Sequence, residues 1–360
     1  QFSWIPKPML TLSPEPLDDG GVFIDKKEMK LNDHVSSGDI LSLLAAKDGY
    51  ASGAFLSREL NISRTAVWKR IAALKREGYL IDASTKKGYR LLSNEACYGK
   101  SGIQSLLKTE FLGRDMRFYE SLESTNNLLK SLAHAGAVHG TVVIANEQTR
   151  GRGRLGRAWE SMADKGIWMS VLLRPPLHPG NVQTITLAVA VAVCRAIEPM
   201  LDEKPGIKWP NDILIGGRKV CGILTELSAE AERVSWVIAG IGLNTHSTLE
   251  EFPLELRNKA TSLKMNLKHG GSADRTRLAA EILNQLELVY DNFLENGPDS
   301  ILMEWRQRSI TLGRMVELIQ GQEILRGKAL DIGADGRLKV QLEDGSMREI
   351  FSGEISLRYD

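Results

Sequence analysis

The chain of 360 residues has few of the residues that build disulfide frameworks and metal sites. Its three cysteines, Cys97, Cys194 and Cys221, are scattered, and no C-x-x-C pair occurs. The six histidines are also dispersed and form no H-E-x-x-H motif. The missing patterns argue against a structural metal and against a disulfide-stapled secreted protein, so we expect a protein of the reducing cytoplasm.

Long apolar runs are missing as well, because no stretch of 18 consecutive apolar residues occurs. The longest apolar segment, TITLAVAVAVCRAI at 184–197, is interrupted by Arg195 and predicts a buried helix rather than a membrane span. Residues 1–36 lack the pattern of a secretory signal and contain several prolines, which predicts a flexible extension. The net charge of only +1 excludes a polycation, so binding of nucleic acid would depend on a local basic patch.

Residues 37–97 have the pattern of a winged helix-turn-helix domain. In the segment RTAVWKRIAALKRE, Val67, Ile71 and Leu74 recur at helical spacing and predict the buried side of a third helix. The following stretch, YLIDASTKKGYRLL, predicts two strands joined by a basic turn, the wing. Residues 37–92 contain about twice as many Lys and Arg as Asp and Glu, which is typical of a surface that binds phosphates.

A domain of this kind places the N-terminus of its third helix in the major groove of DNA. Residues at that end would contact base edges, and basic residues along the helix and at the wing tip would contact phosphates. The predicted DNA-binding residues are Arg64, Thr65, Trp68, Lys69, Lys86 and Lys87. The alternative is a protein-docking module with the same fold, but positive charge at both the helix and the wing favours DNA.

The rest of the chain predicts two further domains, which makes the fold class α+β and multidomain. Residues 98–308 alternate strand and helix patterns, and the short connections between the strand segments after 206 predict antiparallel pairing. We therefore expect a mixed sheet flanked by helices. Residues 309–360 alternate apolar and polar positions between glycine-containing turns, which predicts a small SH3-like β-barrel.

The segment NEQTRGRGRLGRAW at 146–159 directly follows a predicted strand, and α/β proteins often bind ligands at such strand ends. Its glycines allow a close approach of the backbone, and Arg152, Arg154 and Arg157 keep their charge at physiological pH. It is neither a Walker A motif nor a Rossmann motif. It is either an anion-binding loop or a solvated basic loop. The stretches KWPNDILI and GRKVCGILTE favour the first interpretation, because their Lys, Asn and Asp could hold a nucleotide beside a divalent cation.

Five motifs together resemble those of the biotin protein ligases, and they occur in the same order. They are EST-N at 123–126, EQT-x-GRGRxGRxW at 147–159, KWPND at 208–212, GRKVCGILTE at 217–226 and GIGLN at 240–244. The winged helix in front and the β-rich tail make the chain similar to the bifunctional class, which combines the ligase with a biotin-operon repressor. The resemblance implies that ATP and Mg²⁺ convert biotin to biotinyl-5′-AMP. It also implies transfer of biotin to a lysine of a biotin carboxyl carrier protein, commonly that of acetyl-CoA carboxylase, and a homodimer on operator DNA.

The resemblance also implies the site residues. Biotin would be bound by Ser124, Thr125, Asn126, Gln148, Gly151, Arg152, Lys219, Gly222 and Leu224. The nucleotide would be bound by Arg154, Arg157, Trp159, Asn211, Asp212, Gly240 and Asn244, and Asp212 would also contact Mg²⁺. The catalytic cations would be Lys219, Arg152 and Arg154, which have the charge needed when a carboxylate attacks a phosphate.

One position departs from the pattern, because Arg150 stands where the family usually has a small residue. If the Arg150 side chain packs inward it crowds the loop, and if it points to solvent little changes. Two other functions compete with the bifunctional ligase: a transcription factor that senses biotin or its adenylate without turnover, and a lipoate-type ligase. Lys219 and KWPND argue against the first, and the intact GRGRLGRAW loop argues against the second. A protein that only binds nucleic acid would leave the central domain unexplained.

Overall fold

The computed structural model describes residues 40–41, 43–44, 47, 49–76, 79–96, 98–230, 233–268, 273–320, 323–351 and 353–357. The flexible extension predicted for residues 1–36 and the residue Cys97 lie outside the described residues. The domain boundaries expected at 37, 98 and 309 stay predictions.

The N-terminal unit is a winged helix-turn-helix, as predicted. Helix α1 (Gly53–Glu59) begins at Ser52, whose Oγ accepts a hydrogen bond from Phe55 N at 3.1 Å. Helix α2 (Arg64–Arg76) follows a tight turn, and Ser63 Oγ accepts from Ala66 N at 3.1 Å, which satisfies a free N–H of its first turn. Its residues Val67, Ile71 and Leu74 are buried in the core of this unit, which confirms the helical spacing. Strands β1 (Tyr79–Ser84) and β2 (Gly88–Ala96) pair antiparallel and form the wing.

The central unit is built on a seven-stranded mixed sheet, which confirms the expected architecture. The strands are β3 (Met116–Leu122), β4 (Val142–Gln148), β5 (Gly166–Leu173), β6 (Gly206–Lys208), β7 (Asp212–Ile215), β8 (Arg218–Glu230) and β9 (Arg233–Asn244). Their order across the sheet is β3-β4-β5-β9-β8-β7-β6. The pair β3–β4 is parallel, whereas β6 to β9 form the antiparallel meander that the short connections predicted.

Helices cover both faces of this sheet. The helices of the unit are α3 (Lys100–Ser105), α4 (Thr125–His134), α5 (Gln183–Ile197), α6 (Arg275–Asn296) and α7 (Asp299–Arg308). Leu129 of α4 packs on one face against Leu172 and Ile238. Helix α5 lies between the other face and α6 and is buried on nearly every side, as predicted. The segment Pro179–Met200 is apolar and long enough to cross a membrane, but 78% of its most apolar window is buried within the fold.

The C-terminal unit is a five-stranded antiparallel sheet. Its strands are β10 (Met315–Gln320), β11 (Glu323–Ile332), β12 (Leu338–Leu342), β13 (Met347–Ile350) and β14 (Glu354–Leu357), in the order β13-β12-β11-β10-β14. Closure of this sheet into an SH3-like barrel stays a prediction. The unit is attached to the central one through Trp209, whose N donates to Thr311 Oγ1 at 3.0 Å and whose Nε1 donates to Gly336 O at 3.1 Å.

Candidate active site

A cavity of about 700 Å³ lies over the centre of the seven-stranded sheet. It is lined by the start of α4, the Gly-Arg loop, the KWPND segment, β8, β9 and, from the C-terminal unit, Gly353, Ile355 and Ser356. Of the residues implied for biotin and nucleotide, every one lines this cavity except Gly151. Gly151 instead packs against the end of the same loop. Its carbonyl accepts from Trp159 N at 2.9 Å, and an added Cβ would collide with Trp159 O and Ser161 Oγ.

Glycines make the floor of the cavity flat. Gly222 on β8 pairs with Gly242 on β9, and Gly240 lies between Leu224 of β8 and Ser170 of β5. A Cβ on Gly242 would come 2.5 Å from Trp159 Nε1, and one on Gly240 would come 2.9 Å from Asn126 Cγ. Ordinary side chains at these positions would therefore fill the space that Trp159 and Asn126 occupy over the sheet.

One end of the cavity is lined by buried polar side chains that hold each other in place. Asn126 Nδ2 donates to Leu224 O at 3.2 Å and to Glu226 Oε2 at 2.9 Å, while its Oδ1 accepts from Ser170 Oγ at 2.6 Å. Gln148 Oε1 accepts from both Thr125 N, at 2.8 Å, and Thr125 Oγ1, at 3.0 Å. These hydrogen bonds determine which donors and acceptors the walls present, as needed for recognition of a compact polar head group.

The Gly-Arg loop folds as a tight turn above the sheet. Gly153 N donates to Arg157 O at 2.7 Å, and Leu155 adopts a left-handed conformation with φ 55°, which is unusual for a bulky residue. Arg152 Nη1 donates to Asn127 Oδ1 at 2.8 Å. Arg154 donates to Asn211 Oδ1 at 3.0 Å and to Gly353 O at 3.3 Å, which joins the loop to the C-terminal unit.

Lys219 and Trp159 occupy the opposite end. Lys219 Nζ lies 2.7 Å from Asp212 Oδ1 and 5.0 Å from the centre of the Trp159 ring. The Lys219 backbone is held by residues 259–261, since its N donates to Lys259 O at 2.7 Å and its O accepts from Thr261 N at 2.9 Å. Trp159 Nε1 is buried and has no hydrogen-bond partner among the described residues. Buried donors normally find a partner, so this N–H is suited to a ligand oxygen.

Three regions of the sequence match known protein families. Residues 118–244 match the Biotin/lipoate A/B protein ligase family, residues 38–90 match an HTH domain, and residues 311–358 match the Biotin protein ligase C terminal domain. The bifunctional ligase/repressor BirA of Bacillus subtilis is 38% identical over 320 residues, which is 89% of this chain and 98% of that protein. The chain belongs to the bifunctional biotin ligase/repressor family.

Other relatives of this ligase/repressor are named as biotin ligases alone and match a smaller part of the chain. The biotin–acetyl-CoA-carboxylase ligase of Mycobacterium tuberculosis is 38% identical over 223 residues, or 60% of this chain and 79% of that protein. Among solved structures, a biotin protein ligase from Aquifex aeolicus in complex with biotin and ATP is similar with a TM-score of 0.58 and 30% identity. That similarity covers 69% of this chain and 100% of the Aquifex chain.

The residue that departs from the family pattern points to solvent. The Arg150 side chain is 78% exposed and lies 3.5 Å from the carboxylate of Glu123, whose side chain is 65% exposed. Of the two alternatives for Arg150, the structure therefore supports the outward one, and the arginine does not crowd the loop of this ligase/repressor.

The residues of the ligase/repressor that were predicted to bind DNA are all exposed on the winged helix. Arg64, Thr65, Trp68 and Lys69 are exposed along α2, and Lys86 and Lys87 are exposed at the wing tip. Trp68 is 60% exposed, which is high for an aromatic side chain. A further basic residue of the wing, Arg90, is exposed and was not among the predicted residues. Its guanidinium lies 4.9 Å from the centre of the Tyr50 ring, the same ring that Lys87 Nζ approaches at 5.5 Å.

Sequence reasoning also missed several residues that shape the cavity. Ser170, Phe252 and Gly353 come from three separate segments outside the five motifs, and Glu226 ends the motif GRKVCGILTE but was given no role there. Of the missed residues, Gly242 could most readily have been predicted from the sequence. The alternation of Gly240 and Gly242 in GIGLN indicates a strand face without side chains.

Proposed function

We propose that this protein uses ATP to convert biotin to biotinyl-5′-AMP, transfers biotin to a lysine of a biotin carboxyl carrier protein, and represses transcription through its winged helix. The observation that best supports the proposal is that one and the same cavity has two chemically different ends. One end has fixed, uncharged hydrogen-bonding groups suited to the ureido ring of biotin, and the other has the cations Lys219 and Arg154 suited to phosphates.

In the first step, an oxygen of the biotin carboxylate attacks the α-phosphorus of ATP and pyrophosphate leaves. The carboxylate is already ionised at neutral pH, so no enzyme base is needed. The barrier comes mainly from bringing two anions together, and fixed cations lower it. Lys219 and Arg154 line the same cavity and are suited to this task, and Arg152 approaches it from the biotin end. No covalent intermediate with the protein forms in this scheme.

We propose that Mg²⁺ enters with ATP. Mg²⁺ is commonly bound by one or two carboxylates together with substrate phosphates and water. The carboxylate of Asp212 lines the cavity and is the residue suited to this role, once nucleotide phosphates compete for its partner Lys219. Within the described residues no group of three or more His, Cys, Asp and Glu could hold a resident ion. In this proposal, Mg²⁺ belongs to the magnesium–ATP substrate.

In the second step, the amine of the carrier lysine attacks the acyl carbon of biotinyl-5′-AMP, an amide bond forms and AMP leaves. Water would destroy the adenylate before that attack. The Gly-Arg loop and Trp159 cover the cavity from the side opposite the sheet and would exclude water once a ligand is bound.

We further propose that the protein acts in the cytoplasm and that the retained adenylate promotes a homodimer. A dimer places two winged helices on two half-sites of an operator. Abundant carrier protein would consume the adenylate, so DNA binding would fall when biotin is in demand.

The test is one reaction that contains the protein, biotin, ATP, Mg²⁺ and a biotin-carrier domain, with detection by streptavidin. We expect carrier labelling that requires ATP, and no change in the mass of the carrier when lipoate replaces biotin. Arg154→Ala should lower the yield of adenylate. Biotin binding without labelling would instead support the sensor that lacks turnover, and transfer of lipoate would support the lipoate-type ligase.

A further inference from the structure

Glu226 on β8 connects the proposed biotin end of the cavity to the loop above it. One carboxylate oxygen, Oε2, accepts from Asn126 Nδ2 at 2.9 Å. The other, Oε1, lies 3.6 Å from the guanidinium of Arg152. The Glu226 side chain is only 19% exposed, whereas that of Arg152 is 44% exposed. Glu226 itself does not line the cavity.

The contact with Asn126 determines how that amide is oriented. With its NH₂ group donating to Glu226 and to the Leu224 carbonyl, its oxygen must face Ser170, whose hydroxyl donates to it. A carboxylate accepts hydrogen bonds and cannot donate them, so it permits only this orientation of the amide. The polar end of the cavity therefore depends on a residue that does not contact the cavity.

The contact between Glu226 and Arg152 helps to hold the Gly-Arg loop in place. Arg152 has two anchors in the rest of the fold, the neutral amide of Asn127 and the charge of Glu226. Because the carboxylate is mostly buried, its attraction for the guanidinium is less screened than that of a surface pair. Loss of the negative charge would leave the Arg152 side chain with the hydrogen bond to Asn127 as its one remaining anchor among the described residues.

We propose that Glu226 is a positioning residue for biotin: its carboxylate orients the Asn126 amide and holds Arg152 over the same end of the cavity. This inference rests on the proposed function, since it concerns the site at which biotin would bind. It predicts a defect in the binding of biotin and in retention of the adenylate, and no defect in the use of ATP.

The chain provides a matched control. Arg150 of the same loop also pairs with a carboxylate, that of Glu123, at 3.5 Å, but both side chains are mostly exposed and neither lines the cavity. Glu123→Gln removes a carboxylate partner of the loop without touching the polar end. It should leave all kinetic constants unchanged.

Two substitutions separate the roles of Glu226. Glu226→Gln keeps an oxygen for Asn126 and removes the charge that attracts Arg152. We expect KM for biotin to rise about fivefold, as for the loss of a partly buried ion pair worth about 1 kcal/mol. Glu226→Ala removes both contacts, and we expect a rise of about 30-fold or more, because Asn126 Nδ2 then also loses its charged acceptor and keeps only the Leu224 carbonyl. In both variants KM for ATP, and kcat at saturating biotin, should change less than about twofold.

The measurements are steady-state kinetics of carrier labelling, the dissociation rate of biotinyl-5′-AMP, and thermal unfolding. A double-mutant cycle gives the sharpest outcome: in an Arg152→Gln background, Glu226→Gln should have no further effect on KM for biotin, whereas Glu226→Ala should still raise it. The inference is overturned if Glu226→Gln leaves KM for biotin unchanged, if its effect is fully retained without Arg152, or if it lowers kcat and unfolding temperature alone. Failure of the wild-type protein to label the carrier would instead refute the proposed function.

Discussion

Gly240→Ala is expected to destabilise the central unit and to weaken biotin binding, because the new methyl group would overlap Asn126. The Cβ would lie 2.9 Å from Asn126 Cγ and still closer to Oδ1. Asn126 is 4% exposed and is hydrogen-bonded to Leu224, Glu226 and Ser170, so it can move away from a methyl group on Gly240 only by giving up some of these bonds.

The magnitude follows from what Asn126 must give up when it moves. Its side chain makes three hydrogen bonds, each with a net contribution of about 1 kcal/mol. When Asn126 moves, some of these hydrogen bonds are lost, and the crowding that remains costs about a further 1–3 kcal/mol. Together the two effects should lower the free energy of unfolding by about 3–5 kcal/mol. Gly53→Ala is the control, since its added Cβ meets nothing closer than 3.7 Å and should change stability by less than about 1 kcal/mol.

Chemical unfolding followed by tryptophan fluorescence, together with calorimetric titration of biotin, measures the two effects. The double variant Asn126→Ala/Gly240→Ala removes the atom that is struck, so Gly240→Ala should cost at least about 2 kcal/mol less in that background. A cost below about 1 kcal/mol for Gly240→Ala alone, or equal costs in the two backgrounds, would refute the reasoning.

Three further predictions concern other parts of the molecule. Lys87→Ala at the wing tip should reduce the slope of log K against log salt for operator binding by about 1 and leave carrier labelling intact, whereas an unchanged slope would exclude a phosphate contact. Glu287 accepts the backbone N–H groups of residues 110–112, so Glu287→Gln should lower the free energy of unfolding by about 2–3 kcal/mol with KM values unaffected; an unaltered unfolding curve would contradict this. Burial raises the pKa of Cys194 to about 12 and also raises that of the Cys221 thiol. Both should therefore resist iodoacetamide at pH 8 until the protein is denatured, as judged by peptide mapping, and rapid labelling of the folded protein would disprove it.

Local pattern was sufficient for much of the architecture. The spacing of Val67, Ile71 and Leu74 predicted the buried side of α2, because residues at this spacing lie on one side of a helix and can be buried together. Short polar connections after residue 206 predicted the meander from β6 to β9, because two strands joined by a tight turn must run antiparallel. The order of the motifs indicated the ligase/repressor family before any contact was known.

Contacts between distant parts of the chain could only come from the folded molecule. Asn126 and Glu226 are 100 residues apart, and Arg154 and Gly353 are 199 apart. No local period relates such residues, because their meeting depends on the order of strands in the sheet and on how the C-terminal unit packs beside it. The outward direction of Arg150 was undecided for the same reason: a residue type limits what a side chain can bind, whereas its neighbours in space determine what it does bind.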